Sequence, residues 1–236
     1  MQEGQKISLR DYVLPPIHPE GVGFLLIFVF ITFVLWIIWA PLGLLGLVLS
    51  VWCFYFFRDP DRFTPTQEGL IISPADGIVQ AITETIGPKE LDLDQENFIR
   101  VSIFMSVFDC HVNRTPVSGK IIKSVYVPGL FLNASLDKAS EDNERQYLLI
   151  ETENISNIVV VQIAGLVARR IRSDVSKGQQ LETGERIGMI RFGSRVDVYL
   201  PNTFKPLVSM GQKMIAGETV ISDKRITEES RKAEIR

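Results

Sequence analysis

The sequence predicts a mainly β protein: a compact, barrel-sandwich-like β core with duplicated hairpins, preceded by an N-terminal membrane helical hairpin. Three observations predict it. Residues 21–57 form one apolar run without a charged residue. The remainder reads as short strands between Gly, Pro, Asn and Asp turns. Two segments, VSKGQQLETGERIG from Val175 and VSMGQKMIAGETVI from Val208, repeat a Val-Ser-x-Gly-Gln pattern 33 residues apart.

Residues 1–20 are expected to be a cytosolic tail. The run that follows, GVGFLLIFVFITFVLWIIWAPLGLLGLVLSVWCFYFF, would be roughly 55 Å long as one straight helix at 1.5 Å per residue. A hydrocarbon core is only about 30 Å thick. Pro41, Gly43 and Gly46 fall near the middle, so two short helices, about 22–39 and 42–57, are expected to form a hairpin. One tilted span plus an interfacial segment is the alternative. The run is too long for the apolar core of a signal peptide, and no small-residue cleavage site follows it. Lys6 and Arg10 precede it, Arg58 and Arg62 follow it, and the turn is uncharged. By the positive-inside rule both ends face the cytoplasm, which places a domain of residues 58–236 on the cytoplasmic face of the cell's inner membrane.

Within that domain, strands are expected at GIVQAI from Gly77, FIRVSIFMSVF from Phe98, GKIIKSVYV from Gly119, YLLIETE from Tyr147 and IVVVQIAG from Ile158. Residues 135–145 are polar, a loop or a short helix. The charge-dense tail from Ser222 reads as solvated helix or disorder. The repeat at Val175 and Val208 reads each time as turn, strand, turn, strand. That resembles the β-hammerheads of lipoyl- and biotinyl-type domains, and two copies are too few for a solenoid.

Composition excludes more than it assigns. Cys53 lies in the apolar run and Cys110 in the soluble part, so no disulfide framework is implied. The net charge of −3 gives no sign of nucleic acid binding. There is no zinc-site spacing, Gly-rich phosphate loop or G-x-S-x-G elbow, so no metal is expected.

Three positions carry candidate chemistry. Gly193-Ser194 interrupts a β-patterned run, IGMIRFGSRVDVYLP. A bulge or tight bend is the ordinary meaning of such a glycine. The chemical meaning is that a serine hydroxyl can attack the accessible carbonyl before it if a base takes its proton. His111, in SVFDCHVNRTPVSG, is one of two histidines, and the other, His18, lies ahead of the membrane run. Imidazole acid–base chemistry in the soluble domain therefore falls to His111. Pairing with Cys110 is set aside, because adjacent strand residues point to opposite faces. Asp76, in ISPADGIV, is a turn carboxylate or a functional one. Asp59 and Asp61 read as juxtamembrane turn residues, and Asp109 as solvent-facing.

Taken together, the anchor ending in FFRDPDR, the SPADG segment, SVFDCHVNRTPVSG and RFGSRVDVYLP resemble the phosphatidylserine decarboxylases, in particular the short bacterial form with a membrane hairpin. The resemblance covers nearly the whole chain. It implies a proenzyme that cuts itself between Gly193 and Ser194. Ser194 attacks the Gly193 carbonyl, elimination frees the Gly193 carboxylate, and residue 194 becomes a covalent pyruvoyl group. Residues 1–193 become the β chain and residues 194–236 the α chain. It further implies His111 as base for Ser194 and Asp76 as the group orienting the imidazole, as in a serine-protease triad. The pyruvoyl carbonyl would then form a Schiff base with the lipid's serine amine and act as electron sink. Loss of carbon dioxide would give phosphatidylethanolamine, with His111 the candidate proton donor.

One position departs from the family. Longer members have a second histidine three residues after the first, where DCHVNR has Arg114. Arg114 is expected to bind the lipid phosphate or carboxylate, a task suited to a planar fork of donors. The expected partners are a phospholipid substrate, the bilayer and, as the default among closed assemblies, a second copy of the chain. Three other readings share parts of the pattern. One is an archaetidylserine-type decarboxylase. Another is a membrane-anchored Ser194/His111/Asp76 hydrolase that stays whole. The last is a non-enzymatic lipoyl-like adaptor.

Overall fold

The computed structural model describes residues 13–130, 142–153, 155–165, 170–191 and 193–226. It divides into two compact units, residues 1–61 and 62–236.

The first unit contains helices α1 (Pro19–Ile38) and α2 (Ala40–Phe56). His18 caps α1: its Nδ1 accepts from the Glu20 N–H at 3.3 Å, and Pro19 occupies the first turn. The missing N–H of proline costs nothing there. Trp39, with extended backbone at φ −164°, ends α1, and Pro41 sits in the first turn of α2. The break falls where the prolines and glycines indicated, although α1 begins three residues before the expected position 22. Thr32 and Ser50 hydrogen-bond across the two helices at 3.0 Å. Each hydroxyl also meets a carbonyl four residues back on its own helix, Phe28 and Gly46. Gly46 stands against Thr32 with no room for a side chain. α1 is long and apolar enough to cross a membrane, whereas α2 is shorter. At the open end the chain pairs again, with the His18 N–H donating to the Phe57 carbonyl and the Asp59 N–H to the Pro16 carbonyl, both at 2.7 Å.

Among its described residues the second unit is built of strands, with one short 3-10 turn at Lys89–Leu91. Its strands are β1 (Leu70–Ile72), β2 (Gly77–Ile86), β3 (Asn97–Met105), β4 (Val112–Arg114), β5 (Gly119–Val127), β6 (Arg145–Glu151), β7 (Ile158–Ala164), β8 (Ile171–Ser173), β9 (Gln180–Leu181), β10 (Arg186–Ile190), β11 (Ser194–Pro201), β12 (Lys213–Met214) and β13 (Val220–Asp223). Among the described residues the largest sheet runs β12-β2-β3-β11-β7-β6-β5-β9, with β4-β10-β8 and β1-β13 as smaller sheets. The mainly β class read from the sequence is therefore observed. Of the polar segment at 135–145, residues through 141 lie outside the described residues, and Arg145 already belongs to β6. The expected tail from Ser222 begins too early, because β13 continues to Asp223; residues 227–236 are outside the described residues.

β11 is the centre of this unit. It pairs antiparallel with β3 on one side and β7 on the other, and it is buried from end to end. Side chains alternate across a strand, so Val196, Val198 and Leu200 enter the larger apolar core with Val101, Ile103, Ile158 and Val160. On the opposite face Tyr199 joins Phe98, Tyr147, Val159 and Val161 in a second core. Burial pushes the Tyr147 and Tyr199 phenols above the ordinary tyrosine value. The unfolded chain then loses those protons first as pH rises, so their contribution is intact below pH about 10 and is lost above it. The thermal midpoint in detergent is accordingly expected to fall between pH 9 and pH 11 by more than in a Tyr199→Phe variant. Equal falls in the two proteins would remove Tyr199 from that account.

The internal repeat is a structural duplication. In each copy a glycine at positive φ, Gly178 (90°) or Gly211 (84°), opens a two-residue strand, and a second, Gly184 (85°) or Gly217 (78°), closes it. Both copies satisfy their first turn alike: the Ser176 N–H donates to Gln179 Oε1 at 3.2 Å, and the Ser209 N–H to Gln212 Oε1 at 2.7 Å. Each hairpin docks on a bulged strand, Gly178 with Ile121 of β5 and Gly211 with Val79 of β2. The strands receiving them are duplicated as well, since TPVSG at Thr115 repeats SPADG at Ser73. Ser73 Oγ donates to the Ala75 carbonyl and Thr115 Oγ1 to that of Val117, both at 2.7 Å. The two copies exchange backbone bonds, from the Arg114 N–H to the Pro74 carbonyl and from the Ile72 N–H to the Pro116 carbonyl.

Candidate active site

Ser194 is the first residue of β11, directly opposite Met105 of β3 and Ala164 of β7. Its side chain is fully buried, and among the described residues its Oγ has no hydrogen-bond partner. A buried unsatisfied hydroxyl is costly and in a native fold calls for an explanation. Gly193 before it has φ +62°, in the left-handed region that side-chain-bearing residues avoid. Nothing stands within 4 Å of where a Cβ would be, so glycine is required there by backbone conformation and not by space. The Gly-Ser pair thus marks the entrance of a strand, not a bulge in its middle: β10 ends at Ile190, and β11 begins at Ser194.

Immediately behind Ser194, on the other face of β11, Arg195 donates from Nε and Nη2 to the two carboxylate oxygens of Asp197, both at 2.7 Å. Both residues are almost wholly buried. Removing one partner of such a pair strands the other's charge, which costs about 3–5 kcal/mol. The pair lies within β11, and Asp197 also faces the Arg100 Nε of β3 at 4.0 Å, which ties it to the neighbouring strand.

His111 reaches the same region along a different path. β3 ends at Met105, opposite Ser194, and residues 106–109 turn, with the Asp109 carboxylate accepting the Ser106 N–H at 2.8 Å. The strand expected to run to Phe108 thus ends three residues earlier. Cys110 and His111 lie outside any strand, so strand alternation does not bear on that pair. The His111 carbonyl accepts the Ile190 N–H at 3.3 Å, which ties the histidine to the last residue of β10, four positions before Ser194. His111 is fully buried, with Nδ1 3.0 Å from the Asp109 carbonyl. A carbonyl only accepts, so Nδ1 carries the proton and the Nε2 lone pair is the basic one.

Asp76 is buried at the start of β2. Arg62 Nη2 donates to both of its carboxylate oxygens, at 3.0 and 2.8 Å, and the Ala216 N–H donates to Oδ1 at 2.8 Å. In the duplicated copy Ser118 holds the equivalent place, its Oγ accepting the Thr183 N–H at 2.9 Å. Fixing the hairpin therefore needs only an acceptor; the charge at Asp76 and its arginine are what distinguish this half. Burial opposes the Arg62 charge, but Asp76, and with it Cys110 and Glu218, outweighs that and holds the guanidinium above its ordinary value. Arg114, at the end of β4, is buried and donates from Nη1 to the Gly184 carbonyl at 2.9 Å. Arg114 Cδ and Arg62 Cβ lie 3.0 and 3.3 Å from where a Cβ of Gly217 would stand, so two arginines flank the turn that binds Asp76.

Sequence reasoning did not anticipate the roles of two of these groups. Arg62, read from the sequence as a charge flanking the apolar run, is in addition a half-buried partner of Asp76. Asp109 was expected to face solvent, yet it closes the turn and supplies the carbonyl at His111. FRDPDR and FDCH give no signal for either role, because both depend on which turns meet in space.

Comparison with known proteins places the chain among relatives of one kind. Residues 49–222 match the family described as phosphatidylserine decarboxylase. A phosphatidylserine decarboxylase proenzyme of Cereibacter sphaeroides is 56% identical over 225 residues, covering 95% of this chain and 97% of the relative. The proenzyme of Ruegeria pomeroyi is 58% identical, covering 92% and 99% respectively. That of Paramagnetospirillum magneticum is 54% identical over 234 residues, covering 99% and 98%.

Proposed function

The chain belongs to the phosphatidylserine decarboxylase family, and from that premise we propose that it converts phosphatidylserine to phosphatidylethanolamine after cutting itself between Gly193 and Ser194. The observation that carries the self-cleavage is the buried, unpartnered Ser194 hydroxyl following a left-handed glycine. In the proposed sequence His111 Nε2 takes the Ser194 proton, and Oγ bonds to the Gly193 carbonyl carbon. The Gly193–Ser194 C–N bond then breaks, and an ester replaces the amide. Elimination across Cα–Cβ of residue 194 releases the Gly193 carboxylate, and water displaces ammonia from the remaining enamine to leave a pyruvoyl carbonyl. The residues present fit that group: position 194 is enclosed, stands opposite Met105 and Ala164 in the sheet, and among the described residues its hydroxyl makes no hydrogen bond that would be lost. The pyruvoyl group supplies an electron sink for the charge left when carbon dioxide departs.

His111 is the proposed proton carrier, with the Asp109 carbonyl fixing its tautomer. Asp76 remains the proposed carboxylate of the triad, but the His111 Nδ1 proton goes to the Asp109 carbonyl and the Asp76 oxygens accept from Arg62 and Ala216, so its proposed part is not that of the Nδ1 acceptor. Arg114 is the proposed anion contact for the headgroup. An Arg114→Gln variant, which keeps a donor for the Gly184 carbonyl, is expected to cleave itself normally and to raise KM about tenfold, the loss of one charge-assisted bond. A block of cleavage would remove the anion-binding role. The apolar hairpin would hold the domain at a membrane, on its cytoplasmic face, where the lipid headgroup lies.

A denaturing mass spectrum, together with headgroup analysis of phosphatidylserine vesicles, tests the whole reading. Two chains meeting at Gly193/Ser194 and release of phosphatidylethanolamine are expected. A single 26.6 kDa chain that converts no lipid would overturn it.

A further inference from the structure

β7 reads Ile-Val-Val-Val-Gln-Ile-Ala, buried at every position, and Gln162 is its one polar side chain. Gln162 is directly opposite Val196 of β11, as Ala164 is opposite Ser194. The period of two therefore puts Gln162 and Ser194 on the same face as diagonal neighbours, a separation that a long side chain spans.

The amide's orientation is set by its neighbours. Asn113 Nδ2 points at the Met105 sulfur at 3.5 Å, and a thioether can only accept. Asn113 Oδ1 is thereby turned to Gln162, whose Nε2 donates to it at 2.8 Å. Gln162 Oε1 consequently points away from Asn113, and among the described residues it has no partner. Two orphan oxygens, Gln162 Oε1 and Ser194 Oγ, are thus buried on one sheet face beside Met105. An apolar residue of similar volume would fill the position without an unsatisfied acceptor. The polar residue is accounted for if the site receives a donor.

We propose that Gln162 Oε1 is the acceptor for the amine N–H of the serine headgroup as that nitrogen approaches the carbonyl made from Ser194. The proposal rests on the function argued above. An amide oxygen repels the carbonyl oxygen and attracts the nitrogen-bound hydrogen, so it also orients the two reacting groups. The contact is made only after self-cleavage, which requires nothing of Gln162.

The test uses the full-length protein in detergent, with Gln162→Met to remove the acceptor at nearly constant volume and Gln162→Glu to keep one. Each is read by the mass of the two chains, by KM and kcat on phosphatidylserine micelles, and by the mass of the 194–236 chain after cyanoborohydride treatment with lipid. That last mass reports how much lipid nitrogen has bonded to residue 194. Gln162→Met is expected to cleave fully, to raise KM about tenfold or more, the worth of a hydrogen bond to a charged group, and to trap less lipid below saturation. Gln162→Glu, kept protonated by its complete burial, is expected to donate its O–H to Asn113 Oδ1 as the amide does, to keep a carbonyl acceptor, and so to stay close to wild type in all three. Cleaved Gln162→Met with unchanged KM and trapping would overturn the proposal, as would a folded Gln162→Met that stays whole. If Gln162→Met does not fold, Gln162→Glu decides: normal trapping supports the acceptor, and trapping lost from a cleaved chain removes it. A wild-type chain that stays whole would instead remove the underlying reading, and the proposal with it.

Discussion

Replacing Ser194 by alanine is expected to yield one uncut chain of 26.6 kDa with no decarboxylase activity, and with a thermal midpoint no lower than that of the uncut wild-type chain. The chemical loss is complete, because without Oγ nothing attacks the Gly193 carbonyl and no carbonyl forms at residue 194. The stability prediction has the opposite sign from an ordinary core truncation. The hydroxyl is fully buried and makes no hydrogen bond among the described residues, so its removal relieves a desolvation cost of about 1–3 kcal/mol. Alanine keeps the Cβ that packs between Met105 and Ala164. A Ser194→Ala protein that is cut at this bond, or that retains activity, would end the self-processing account. A midpoint lowered by many degrees would show that the hydroxyl has a structural partner.

His111→Ala is the second large effect. General-base assistance is worth roughly a hundred- to ten-thousand-fold, so the uncut chain is expected to accumulate and to mature over hours or days, if at all. The effect has to be separated from misfolding, since His111 is fully buried and its carbonyl anchors β10 through Ile190. The carbonyl bond survives any side-chain replacement, and His111→Gln keeps a donor for the Asp109 carbonyl. A folded His111→Gln protein that cuts itself at the wild-type rate would reassign the base. A slow one whose rate rises with added imidazole would support it.

The helical hairpin was legible because its signal is local: an uncharged run with Pro41 in its middle needs no tertiary information. The strand class was legible for the same reason, and the Val175/Val208 repeat pointed to a duplication that extends further than the sequence indicated, to Ser73 and Thr115. Ser194, Gly193 and His111 stood out as a turn pair inside a β pattern and a scarce residue type. What could not be read was registration. Gln162 appears in the sequence as one polar residue in an apolar strand, and only its place opposite Val196 sets it beside Ser194. Arg62 looked like the flank of a membrane segment until β2 brought Asp76 to it. The neighbour of Asp76, Ala216, is 140 residues away along the chain, and no spacing rule connects them.

The position of β11 between β3 and β7 has a consequence for how the mature molecule holds together. Scission ahead of Ser194 would leave a 43-residue fragment whose first strand is the middle of the sheet, clasped by β3 on one edge and β7 on the other, with Asp197 facing Arg100 of β3. The product would be a heterodimer born from one chain, intertwined as no encounter of two folded partners could make it. Its native state is reached through a covalent precursor that no longer exists. Unfolding should therefore depend on dilution, and refolding of the separated pieces should fall far short of the yield of the intact precursor. The cut would act as a one-way ratchet, turning a reversible folding reaction into an assembly preserved by the slowness of its coming apart.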